Sequence, residues 1–153
     1  MRRILIMLVL LVSLAVVRAD AVVTGKIVKV LPLLLTLQGH DALSPSLFDR
    51  DAYQAYLRAH TNEISAVRYD VLWKAAGTDG TNVTLRVELQ GIGPDGSPRA
   101  KTLETAVTTG FFRSWTSLEL GGDDYKNFGA VMAWRVTLWS GGQQLSEQHS
   151  FLW

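Results

Sequence analysis

From residue 66 to the end of the chain, apolar and polar side chains alternate with a period of two. A period of two places every second side chain on the same face of a β-strand. The alternation therefore predicts strands with one buried face, and it constrains the fold more than any other feature. It is clearest where Val83, Leu85, Val87 and Leu89 alternate with Thr84, Arg86, Glu88 and Gln90.

Turn residues divide the chain into short strands. The signals are Asp79-Gly80, Pro94-Asp95-Gly96 and Gly141-Gly142, with a loop at 121–124. An earlier apolar segment predicts one or two further strands, with Pro32 at an edge or at a switch between sheets. Short antiparallel strands with one apolar face each are typical of a sandwich. The predicted strands are about 25–31, 33–38, 66–75, 83–90, 100–109, 113–120, 129–139 and 143–152.

One helix is predicted at about 47–59, between the first strands and strand 66–75. Ser46 is a suitable N-cap, and Asp49 follows it by three residues as in a weak capping box. Five side chains recur at helical spacing and predict the buried face of this helix. They are Phe48, Ala52, Ala55, Tyr56 and Ala59.

The first 19 residues form a separate segment. Arg2 and Arg3 precede an apolar run at 4–17. Val17-Arg18-Ala19 then resembles a signal peptidase site, which would leave Asp20 as the N-terminus. As a helix the run would span roughly 21 Å, less than the roughly 30 Å of a bilayer core. We therefore predict a cleaved signal peptide at 1–19, with an uncleaved membrane anchor as the alternative.

The remaining 134 residues carry 12 Lys and Arg against 14 Asp and Glu, and the chain has no Cys. This balance argues against a nucleic-acid partner, which needs clustered positive charge. The lack of Cys excludes a lipoprotein anchor, and in an exported domain it fits a bacterial periplasm or exterior. We predict one domain at 20–153, with a helix-bearing insert at 40–65 and no membrane span after signal cleavage.

Residues 66–153 resemble the fibronectin type III and immunoglobulin-like sandwiches. Trp73 resembles the core tryptophan of that superfamily, the stretch 120–125 resembles its leucine-to-tyrosine corner, and the strands around Gly141-Gly142 resemble its final hairpin. The resemblance implies an antiparallel sandwich of six to seven strands, here with one inserted helix. Such domains serve as adhesion, spacer or recognition modules and seldom as enzymes.

The sequence offers no catalytic, metal or cofactor site. A hydrolase would need Ser, His and an acid that converge, but His149 and Ser150 are adjacent on a predicted strand and point to opposite faces. The three His residues lack the spacing of metal ligands. We therefore predict a protein that is not an enzyme and binds no cofactor.

The five tryptophans give the candidate binding residues. Trp73 and Trp134 lie on the apolar phases of their strands, so we assign them to the core. Trp115 and Trp139 lie in the opposite phases, where an exposed indole can stack on a sugar or anchor a protein interface. Phe151 and Trp153 are expected to close the sandwich core.

Two functions are compatible with these features. The first is an exported, non-catalytic β-sandwich module that binds or organises a protein or glycan of the cell envelope, with Trp115 and Trp139 as the site. The second is a periplasmic carrier of a small apolar ligand, held in a pocket that the segment Leu33-Leu34-Leu35 could line.

Overall fold

A computed structural model describes residues 22–77 and 82–153. The predicted signal peptide and the Asp79-Gly80 turn lie outside the described residues. The elements in chain order are β1 Thr24–Thr36, α1 Leu47–Ala59, a 3₁₀ turn Thr61–Glu63, β2 Ile64–Ala76, β3 Asn82–Ile92, β4 Pro98–Thr108, β5 Ser114–Gly121, α2 Gly122–Phe128, β6 Ala130–Ser140 and β7 Gln143–His149.

In the described part of the chain, the strands form two antiparallel sheets. The first is a three-stranded sheet in the order β1-β2-β5, and the second is a four-stranded sheet in the order β4-β3-β6-β7. Each sheet turns one apolar face toward the other, as in a sandwich. The predicted mainly β sandwich with an inserted helix is confirmed.

The core lies between the sheets and is built from the alternating residues. Trp73 is buried as predicted, and its Nε1 donates a hydrogen bond to Oγ1 of Thr116 at 2.9 Å. Trp134 is half-buried at the border of the core, with its ring edge-on to Tyr69 at 6.1 Å between centroids. The largest fully buried residues are Tyr69, Ile27, Leu57, Leu85, Leu89, Leu120 and Leu138.

β1 is one continuous edge strand rather than two strands. Pro32 lies within it, opposite Tyr69, and an edge strand tolerates the missing N–H. A register shift follows Ile27. At that position the backbone N–H of Ile27 donates to Oγ of Ser146 at 3.0 Å, and its carbonyl accepts from Nε2 of Gln148 at 3.2 Å. Side chains of β7 therefore connect the edge of the first sheet to the second sheet.

Helix α1 has the predicted bounds, but its predicted buried face is wrong. Phe48 and Tyr56 are exposed, as are the three alanines of that face, whereas Gln54 and Leu57 are buried. The side-chain amide of Gln54 pairs with the backbone of Leu34 on the free edge of β1. A polar residue therefore faces inward because its hydrogen-bonding groups are satisfied there.

Two connections also differ from the prediction. The segment after β5, expected as a loop at 121–124, forms the short helix α2. The last strand ends at His149 rather than at 152, and Phe151 is 99% exposed. Trp153 does not close the core either, because its half-buried ring lies 4.8 Å from the Arg135 guanidinium.

Candidate binding surface

Trp115 lies on the outer face of the three-stranded sheet. Leu118 and Leu120 of the same strand point into the core, and Trp115 has the opposite phase. Its side chain is 54% exposed, and its cross-strand neighbour is Leu72 of β2. Among the described residues, β5 pairs with β2 alone, so the other edge of β5 presents backbone groups that no described strand pairs with.

A polar cluster lies on the same face, next to Trp115. The carboxylate of Asp70 accepts hydrogen bonds from Nε of Arg68 at 2.9 Å and from Oγ of Ser117 at 2.6 Å. A second carboxylate, Asp41, lies 3.5 Å from the Arg68 guanidinium. Burial opposes the charge of Arg68, but the hydrogen bonds and charge of Asp70 outweigh it, and the pKa of Arg68 is raised. The cluster is therefore fixed and charged beside an exposed indole.

Trp139 lies on the outer face of the four-stranded sheet, so the structure does not bring the two predicted tryptophans together. Its half-buried indole Nε1 donates to Oγ1 of Thr137 at 2.8 Å, and its ring lies 5.2 Å from the Arg86 guanidinium. Thr137 is fully buried although it belongs to the outer face. Trp139 thus covers neighbouring side chains, while Trp115 remains open to a partner.

The two tryptophans should respond differently to truncation. We expect Trp139→Ala to lower the free energy of unfolding by about 2–3 kcal/mol, because it uncovers Thr137 and removes the contact with Arg86. Trp115→Ala should change it by less than about 1 kcal/mol, since much of the indole is already in solvent. Chemical denaturation of both variants measures the difference, and equal losses would contradict the assignment.

Sequence reasoning missed two exposed aromatic residues close to this face. Phe111 and Phe112 lie in the β4–β5 connection, with their rings 5.2 Å apart and edge to face. The Nζ atom of Lys74 lies 5.9 Å from the centroid of the Phe111 ring. The sequence signal that could have identified them is a pair of adjacent aromatic residues directly after Gly110, between two predicted strands.

Two open grooves bear on the carrier hypothesis. A groove of about 310 Å³ opens between the sheets, and Leu34, Tyr69 and Trp134 line it. Burial raises the pKa of Tyr69 well above its ordinary value, so the phenol of Tyr69 in the wall of this groove stays neutral. Leu33 and Leu35 are buried but do not line this groove. The second groove, of about 580 Å³, runs along the exposed face of α1 beside Tyr53.

Residues 22–77 and 82–153 hold no group of three His, Asp or Glu side chains that could bind a metal ion. In the same part of the chain, no helix is long and apolar enough to cross a bilayer. Nδ1 of His149 lies 2.9 Å from the backbone oxygen of Ser150, so that imidazole contacts the main chain rather than the serine hydroxyl.

Comparison of the chain with protein-family models, with curated proteins and with solved structures finds no match. The resemblance to fibronectin type III and immunoglobulin-like domains stays a prediction. The geometry of the described residues therefore carries the functional argument.

Proposed function

We propose that this chain is an exported, non-catalytic β-sandwich module that binds a protein or glycan of the bacterial cell envelope. Binding would use the outer face of the three-stranded sheet at Trp115. The observation that carries the proposal is the exposure of Trp115, 54%, beside the edge of β5 that no described strand pairs with. Tryptophan is enriched where partners bind, because a large apolar ring gains much from burial at little cost in entropy.

The surroundings of Trp115 suit either kind of partner. Asp70 and Ser117 form the cross-strand pair that follows Leu72 and Trp115 on this face, about 7 Å further along the strands. Their polar atoms are within reach of the hydroxyls of a sugar stacked on the indole. The free edge of β5 can accept an extended segment of a protein as an additional strand. Of the two predicted site residues, the proposal retains Trp115 and assigns Trp139 a structural role.

Export rests on the sequence of the first 19 residues. Two arginines, an apolar run and small residues around Arg18 fit a secretory signal. The absence of Cys agrees with a bacterial periplasm or exterior, where a disulfide-free domain is ordinary. A partner in the cell envelope follows from that location.

Capture of a partner tests the proposal. The chain beginning at Asp20 is used as bait on an envelope extract of its own organism, and a glycan array is probed in parallel. We expect a specific partner whose binding weakens at least about tenfold in Trp115→Ala, the range found for the anchor residues of interfaces.

The matched control is Phe151→Ala, which removes an aromatic ring that is 99% exposed at the other end of the sandwich. This variant should bind as the unchanged protein does. Equal binding by Trp115→Ala would contradict the proposed surface, and no partner on either screen would contradict the proposed function.

The second candidate function is a carrier of a small apolar ligand. The groove lined by Leu34, Tyr69 and Trp134 favours it, because an opening between two sheets next to the core can admit an apolar chain. A co-purified lipid in the native mass spectrum of the same protein would support this candidate.

A further inference from the structure

The β4–β5 connection projects two phenylalanines from one end of the sandwich. Phe111 is 84% exposed and Phe112 is 78% exposed. The N–H of Gly110 donates to the carbonyl of Ala75 at 3.2 Å, which fixes the start of this connection beside the end of β2. The pair, here called the Phe tip, is thus held out from a rigid sheet. Exposing two adjacent large apolar rings is unfavourable unless something covers them.

The described residues at the end of the sandwich that bears the Phe tip carry a net positive charge. The register places the start of β1, the end of β2, the start of β3, the end of β4, the start of β5 and the end of β6 at this end. Its described residues, 24–26, 73–77, 82–84, 106–115 and 139–144, contain three Lys or Arg and no Asp or Glu. Asp20 and Asp79 lie outside the described residues. The three cations are Lys26, Lys74 and Arg113.

The opposite end is acidic. Its connecting segments, 37–63, 93–97, 122–129 and 150–153, contain seven Asp or Glu and three Lys or Arg. The charge distribution would orient the molecule with the Phe tip toward a negatively charged surface. The seven acidic residues are Asp41, Asp49, Asp51, Glu63, Asp95, Asp123 and Asp124.

The start of β1 lies at the same end as the Phe tip, because Thr24 pairs with Ala76. In the sequence, the apolar run at 4–17 precedes β1 by the six residues 18–23. Six residues span at most about 20 Å. While the apolar run is in a bilayer, either before the signal peptide is cleaved or in a protein that keeps it as an anchor, that bilayer therefore lies close to the Phe tip.

We infer that the Phe tip docks on the surface of an anionic lipid bilayer. The rings of Phe111 and Phe112 enter the boundary between headgroups and acyl chains, and Lys26, Lys74 and Arg113 contact the headgroup phosphates. Docking in this orientation leaves the outer face with Trp115 at the side of the molecule, where a partner of the envelope can reach it. The inference goes beyond the proposed function, and lipid alone tests it.

Vesicle flotation measures the docking. The chain from Asp20, which contains all described residues of the buried core, is mixed with vesicles of phosphatidylcholine alone or with 30% phosphatidylglycerol (a mixture of about 7:3). We expect binding to the anionic vesicles only, weakened by salt. Phe111→Ser with Phe112→Ser should reduce partitioning at least about tenfold. Lys74→Gln with Arg113→Gln should reduce it roughly five- to thirtyfold.

The matched controls change the same residue types at the acidic end. Phe151→Ser and Lys126→Gln should partition as the unchanged protein does, and circular dichroism verifies that every variant is folded. The inference is overturned if the unchanged chain ignores anionic vesicles, if neutral vesicles bind it equally well, or if the tip variants bind as the controls do. Partner capture without lipid is a separate readout, so failure of docking leaves the proposed function standing.

Discussion

Gly129→Ala is expected to lower the free energy of unfolding by about 4 kcal/mol. Gly129 ends α2 with φ 78° and ψ −143°, a conformation that is essentially restricted to glycine. An added methyl group would also collide with the carbonyl oxygen of Ile92 and lie 3.0 Å from Cα of Gly93. Because both neighbours are backbone, relief requires movement of β3 or α2.

Urea unfolding followed by tryptophan fluorescence measures this loss. Gly142→Ala is the matched control, since a Cβ at that hairpin position would meet no heavy atom within 4 Å and its φ is not positive. The control should differ from the unchanged chain by less than about 0.5 kcal/mol. Equal stability of the two variants would show that the junction of α2 with β6 is not built as described.

Gln54→Leu has the next largest expected effect, a loss of about 3 kcal/mol. Gln54 is 3% exposed, and its Oε1 accepts from the N–H of Leu34 at 2.7 Å. Its Nε2 donates to the carbonyls of Leu34 at 2.9 Å and of Asp41 at 2.8 Å. Leucine fills a similar volume but leaves three part-buried backbone groups without this partner.

The same substitution should also change association. The amide of Gln54 occupies the free edge of β1 as a neighbouring strand would, and its removal exposes an edge that can pair with another chain. Thermal unfolding and size-exclusion chromatography should show a lower melting temperature and more self-association. Asp51→Leu, on the exposed face of the same helix, is the control and should leave both nearly unchanged. A Gln54→Leu protein as stable as this control would contradict the edge-capping role.

The strands could be predicted from the sequence because alternation and turn residues report local geometry directly. Strand β3 and the turn at Gly96, with φ 78°, lie where the pattern places them. The bounds of α1 followed from its cap, and Oγ of Ser46 accepts from the N–H of Asp49 at 3.4 Å. Each of these signals depends on residues a few positions apart.

The inward face of α1 could not be predicted, because it depends on a contact with a distant strand. Hydrophobic periodicity favoured Phe48 and Tyr56, whereas the edge of β1 required the amide of Gln54. Helix α2 was not predicted, because it begins in a Gly-Gly-Asp-Asp sequence that is typical of loops. Its acidic first turn and Lys126 in the last turn fit a helix dipole, but seven residues are too few for a periodic signal.

The candidate site was predictable only in part. Alternation places Trp115 and Trp139 on outward phases, and the structure agrees. The phase of a residue does not tell which sheet its strand joins, and β5 and β6 join different sheets. One predicted site therefore divides into an open indole on one face and a covered indole on the other.

Hydrogen exchange on the complex with the captured partner tests the central claim most directly. The claim is that the partner binds the outer face and free edge of the three-stranded sheet at Trp115. It predicts slower exchange of amides in residues 110–119, on the edge strand β5 and the connection before it, with residues 135–139 of the four-stranded sheet unchanged. Protection confined to the four-stranded sheet, or the absence of protection on β5, would contradict it.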